Sequence, residues 1–221
     1  MTDKEHIENV IRRTFDIIKN VYNYQQEKES RKNDKSQSRI LFPKKSDKTT
    51  RVSEQELRFV FVEQLNKEIG EDGKYWDVYY SVETPTIEKY YFKEDPPKRD
   101  DNGQSANFDL VIHDSNYNRV ALIEFKANNP DIHDYQKDFV KLSNEQEDVE
   151  LRYFIQLLEN TRKGKDEKID TKKNIESKIS PIDSQWKDEW GSKKVIVYCV
   201  SLEKREENIV VIDFQEYQKN C

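Results

Sequence analysis

The chain has 221 residues, 37% of them charged, and a net charge of −6. A mean hydropathy of −1.07, with no apolar run near the roughly 18 residues that cross a bilayer, argues against a helical membrane protein. Two cysteines, Cys199 and Cys221, make neither a zinc spacing nor a disulfide framework and suit a cytoplasmic setting.

Residues 4–27 place Ile7, Val10, Ile11, Phe15, Ile18, Val21 and Tyr22 at helical spacing. They predict an amphipathic helix packed on the core or on a second copy of the chain. Residues 28–51 carry nine Lys/Arg against three Asp/Glu. They are expected as a basic linker, either a solubilising connection or an arm along a phosphate backbone. Residues 52–221 then form the main domain.

Ser53 and Glu56 make a capping-box pair at the start of a helix running to about Glu68, with Gly70 and Gly73 as stop signals. Leu57, Phe61 and Leu65 mark its buried stripe. At about 100° per residue, Glu54 shares that stripe and Glu56 does not. Residues 75–83 read as a strand ended by Pro85. Tyr90, Tyr91 and Phe92 suit an edge strand, and Lys93 to Gln104 suits a loop.

Residues 107–126 hold two apolar runs around a turn rich in Asp, Ser and Asn, the pattern of a β-hairpin. A loop of two or four residues, centred between Asn116 and Tyr117, pairs Asp114 with Arg119, Val111 with Leu122, Asp109 with Glu124 and Asn107 with Lys126. Side chains alternate along a strand, so Asp109, Glu124 and Lys126 are expected on one face. An odd-numbered loop would move Asp109 off that face. Like charges facing each other across a pair are destabilising, and burying them unpaired costs more. A divalent cation offsets both costs, because Mg²⁺ takes one or two carboxylates together with waters and a substrate phosphate. A salt-bridged hairpin without chemistry is the alternative.

Asp109, the hairpin, and then Glu124-Phe125-Lys126 resemble the signature of the PD-(D/E)XK nuclease superfamily, over roughly residues 53–158. Phe108 stands where that family usually has Pro. The resemblance implies that Asp109, Glu124 and the backbone carbonyl of Phe125 bind Mg²⁺ or Mn²⁺, and that Lys126 activates or positions the attacking water. Members that resolve Holliday junctions carry Glu-x-Glu-Leu at the start of the first core helix. Glu54-Gln55-Glu56-Leu57 is similar, which assigns the helix acid to Glu54 with Glu56 in reserve. Some members also have Gln-x-x-x-Tyr early in the next helix. Here Gln136 is present but Val140 replaces the Tyr, so Gln136 and Lys137 are candidate phosphate contacts only.

That next helix is expected from Pro130, capped by Asn129, with Ile132, Tyr135, Phe139 and Leu142 buried. Leu151–Leu158 is a strand, and its crossover helix implies a mixed sheet. Residues 160–193 are a polar insertion permitting a short helix through Ile169, Ile175 and Ile179. Residues 195–200 and 209–214 are two further strands joined by a charged turn. The fold class expected is α/β with a restriction-endonuclease-like αβββαβ core. The implied function is a Mg²⁺-dependent endonuclease acting on double-stranded DNA, with a homodimer as one arrangement and no membrane partner. The alternative is a catalytically inactive nuclease-fold protein that binds nucleic acid or a protein.

Overall fold

In the computed structural model, residues 1–26, 38–92, 98–128, 130–158, 170–186, 193–202 and 208–219 are described. The apolar spacing of the first segment does produce a helix, α1 (Asp3–Gln26), with Ile7, Val10, Ile11, Phe15, Ile18 and Val21 buried. Its apolar stripe is used within the chain, in one core with α2 (Glu54–Ile69) and one face of the sheet, rather than left for a second copy.

The sheet contains β1 (Val78–Tyr91), β2 (Lys98–Arg99), β3 (Gln104–Asp114), β4 (Arg119–Ala127), β5 (Leu151–Leu158), β6 (Ile196–Ser201) and β7 (Val210–Asp213). Their order is β2-β1-β3-β4-β5-β6-β7. The β4–β5 and β5–β6 pairs are parallel and the others antiparallel, so this is an open mixed α/β sheet. Parallel neighbours need crossovers. These are supplied by α3 (Ile132–Ser143) and α4 (Thr171–Trp186), and a short α5 (Phe214–Lys219) follows β7.

Side-chain alternation sends the sheet's apolar residues to two cores. Ala121, Ile123 and Phe125 of β4, with Tyr153, Ile155 and Leu157 of β5, join α1 and α2. Leu122, Phe154, Val197 and Cys199 join Tyr135, Phe139 and Leu142 of α3 and Ile175 and Ile179 of α4. Helices therefore cover both faces. Among the described residues no helix is long and apolar enough to cross a membrane.

Several expectations are corrected. Pro85 does not end β1; it pairs with Asn107 inside a longer strand. Proline is tolerated on an edge strand, and β1 meets β2 only at Tyr90 and Tyr91. The cap of α3 is Asp131, whose side chain accepts the Asp134 N–H; Asn129 lies outside the described residues. Phe214 begins a helix instead of closing a strand. Within the basic segment, residues 38–51 are a packed turn. Its Phe42 is buried, and both backbone groups of Phe42 bond to the Gln25 side chain. Residues 28–37 of that segment, Ile169 and the charged turn at 203–207 lie outside the described residues.

Candidate functional site

The β3–β4 hairpin keeps its expected register in its middle, with Val111 opposite Leu122 and Leu110 opposite Ile123. The tip differs. Asp114 and Asn118 close a loop of odd length, with the Asp114 N–H donating to the Asn118 carbonyl at 2.9 Å and Tyr117 at φ +64°. Three-residue hairpin loops end in such a left-handed residue. One step further His113 faces Arg119, not Asp114, and Val120 is the extra residue of a bulge. The bulge cancels the odd loop, and the pairing then runs to Leu110–Ile123, one residue short of Asp109 and Glu124.

The two acids are nevertheless held from different sides. Phe108 packs in the α3 core together with Val111, while Leu110 and Ile112 pack in the α2 core. Strict alternation therefore fails next to Asp109, and Glu83, in the same stretch of β1, has φ +48°. The Asp109 side chain lies against the neighbouring strand. Its Oδ2 accepts the Phe125 backbone N–H at 2.7 Å, and its Oδ1 is bound by the Arg58 guanidinium from α2. Arg58 also donates to Glu83 at 2.8 Å. Of the face expected for Asp109, Glu124 and Lys126, Asp109 is turned to α2, Glu124 is turned to α3, and Lys126 meets an acid on each of the two helices.

Glu124 is 2% exposed, and its Oε1 lies 2.6 Å from Lys141 Nζ. Lys141 also meets Asp138 Oδ1 at 3.0 Å and donates to the Asn107 carbonyl at 2.9 Å. Asp138 Oδ2 lies 2.7 Å from Lys126 Nζ, and Lys126 is 3.7 Å from Glu54 Oε1. The result is a chain of alternating charge, Glu54–Lys126–Asp138–Lys141–Glu124, drawn from α2, β4 and α3. Glu124 Oε1 and Asp138 Oδ2 make no aligned hydrogen bond; the ammonium groups hold them as ion pairs.

Burial pushes the Glu124 carboxyl well above its usual range, and Asp138 and Asp109 push it further against the pull of Lys141. Burial also raises Glu54, opposed by Lys126. Asp138 goes the other way: burial alone would raise it, but Lys141 and Lys126 outweigh that and lower it. Burial disfavours the ammonium forms of Lys126 and Lys141, yet the surrounding carboxylates raise both above their ordinary value.

Of the other expected residues, Glu56 is occupied as a cap. Its Oε2 accepts the Ser53 N–H at 3.0 Å and also takes the Ser53 hydroxyl. Gln136 is buried and its Oε1 has no hydrogen-bond partner, while Lys137 is half-buried. Neither forms a contact with the acids among those described. Arg58, Asp138 and Lys141 were not singled out. Charged residues on an amphipathic helix normally read as solvated, and the i,i+3 spacing of Asp138 and Lys141 was the available signal.

The donors suit a hard cation, since the side chains offer carboxylate oxygens and Glu124 Oε1, though paired with Lys141, has no aligned hydrogen bond. Among the described residues no three Asp, Glu, His or Cys side chains are gathered as a ligand set. Comparison of the chain with family models, curated proteins and solved structures finds no match.

Proposed function

We propose that the chain is a Mg²⁺- or Mn²⁺-dependent endonuclease of the PD-(D/E)XK type, hydrolysing phosphodiester bonds in double-stranded DNA. In this reading α2, β1, β3, β4, α3 and β5 form a restriction-endonuclease-like αβββαβ core. The observation that carries it is the bond from the Phe125 N–H to Asp109 at 2.7 Å. It fastens the acid of β3 onto the middle residue of Glu124-Phe125-Lys126, while Glu54 reaches Lys126 from α2.

Asp109, Glu124 and the Phe125 carbonyl would hold the cation, with Glu54 beside it. When bound, such an ion lowers the pKa of a water and stabilises charge on phosphate. The chain's own groups do the rest. Lys126, kept cationic by its acids, orients the water and stabilises the developing charge. A cation would take the Asp109 oxygen that Arg58 now holds, and the guanidinium would then be placed to meet a phosphate oxygen.

The test is supercoiled plasmid with Mg²⁺ or Mn²⁺, an EDTA control and the Asp109→Asn variant. Nicked and linear products that vanish in the control and the variant are expected. Intact plasmid, and intact RNA under the same conditions, would sink the reading.

A second reading is a non-catalytic nuclease-fold protein that binds nucleic acid or a protein. One observation favours it: Lys141 and Arg58 already neutralise Glu124 and Asp109. Glu124→Ala separates the two. A nuclease loses cation-dependent cleavage and stays folded, whereas a purely structural ion pair loses stability and no cleavage is there to lose.

A further inference from the structure

Lys126 is flanked by two acids of different kinds. Glu54 lies 3.7 Å away and is the more exposed; Asp138 lies 2.7 Å away and its side chain is 7% exposed. A long lysine side chain held by one exposed acid samples many rotamers. Held by a buried one, it keeps a single direction. Asp138 is itself fixed by Lys141, which is anchored to the Asn107 carbonyl of β3 and to Glu124 of β4. The buried half of the charge chain thus ties α3 to both strands of the hairpin.

A buried ion chain is a weak source of stability, because desolvation offsets much of its Coulomb attraction. Apolar side chains at 138 and 141 would bury as well between α3 and the sheet. The charged pair is better explained by what it orients.

We propose that Asp138 is a positioning residue of the site: through its buried carboxylate, itself fixed by Lys141, it aims the Lys126 ammonium at the reacting phosphate. The inference rests on the nuclease reading for the reaction, and on the contacts alone for the aiming.

Two arms test it in the full chain. The first follows the ¹⁵N-lysine ammonium signals by NMR, with thermal unfolding alongside. In the wild type Lys126 gives a slowly exchanging signal. In Asp138→Asn, which keeps the side-chain volume, that signal is lost or its hydrogen exchange accelerates at least about tenfold, while Lys141 remains visible. An unchanged Lys126 signal overturns the proposal whether or not the chain cleaves anything.

The second arm is a double-mutant cycle on plasmid cleavage. Asp138→Asn lowers kcat by about 100-fold with KM little changed, the scale expected for a misplaced group. In a Lys126→Met background the same substitution has no further effect. Additive losses overturn the aiming role and leave the nuclease reading standing. Wild-type inactivity with a released Lys126 ammonium sinks the nuclease reading and the catalytic half of this proposal, while the fixing of Lys126 by Asp138 stands.

Discussion

Arg152 heads the described side chains that are sealed from solvent. Its guanidinium donates to the carbonyls of Val149 at 2.6 Å, Leu142 at 2.5 Å and Asn144 at 2.7 Å, and also to that of Glu147. The turn between α3 and β5 is wrapped around this one cation, and burial brings its pKa down to about 10. Arg152→Met would leave four carbonyls without their donor, each costing about 1–3 kcal/mol when buried. A loss of about 4 kcal/mol or more is expected, read as a lower urea midpoint at constant m. Arg58 is a residue of another sort, since its side chain, 15% exposed, holds Asp109 and Glu83 at the edge of solvent. If it competes with the cation, Arg58→Gln lowers the Mg²⁺ concentration giving half-maximal cleavage by about threefold to tenfold, the scale of a 1 kcal/mol interaction. It lowers maximal turnover as well, because the phosphate contact is lost. An unchanged Mg²⁺ titration would refute the competition.

Among the elements, α2 carries two acids, two positions apart, with different roles. Glu56 closes the helix start with Ser53, and Glu54 meets Lys126. Glu56→Ala is therefore expected to cost about 1 kcal/mol of stability and to leave cleavage intact, whereas Glu54→Ala reduces cleavage with little change in unfolding midpoint. The reverse pattern would move the helix acid to Glu56. The capping box was legible in the sequence, because it depends on local spacing alone; the helical stripe was not a guide, since Glu56 is buried beside Leu57 and Phe61 and Glu54 is the more exposed acid. The middle register of the hairpin matches the expectation for a different reason, since the Val120 bulge offsets an odd loop where an even one was expected. What was not legible depends on partners far away in sequence. Pro85 inside β1 depends on how little of that strand meets β2, Arg58 reaches Asp109 across 51 positions, and Lys141 draws charge from a strand seventeen positions earlier. The break in alternation beside Asp109 has no counterpart in the apolar pattern, which reads through Phe108, Leu110 and Val111 without a sign of it.

At the scale of the molecule, α1 is joined to α2 by more than apolar packing. Glu68 accepts from His6 Nδ1 at 2.6 Å and is bound by Arg13; His6 stacks on Trp76 with ring centroids 4.9 Å apart, and Trp76 donates to Asp3 at 2.9 Å. Burial would raise the Glu68 carboxyl, but His6 and Arg13 outweigh that and hold it below its ordinary 4.5. A carboxyl lower in the folded than in the unfolded chain contributes stability that is complete above the unfolded value. That contribution is lost as pH falls through the folded one. Thermal midpoints of the wild type should therefore fall from about pH 5 downward, and Glu68→Gln should be less stable near neutrality with a shallower acid decline. Parallel curves would show that the clasp carries no such linkage. The hairpin tip offers a practical outcome at this scale. Val120 absorbs the parity of the odd loop before Asp109 is reached, and Tyr117 is 71% exposed. A fluorophore or affinity handle spliced in as two residues at Ser115–Asn116 would sit about 20 Å along the hairpin from Asp109, near enough, on the nuclease reading, to sense an arriving duplex and too far to disturb it.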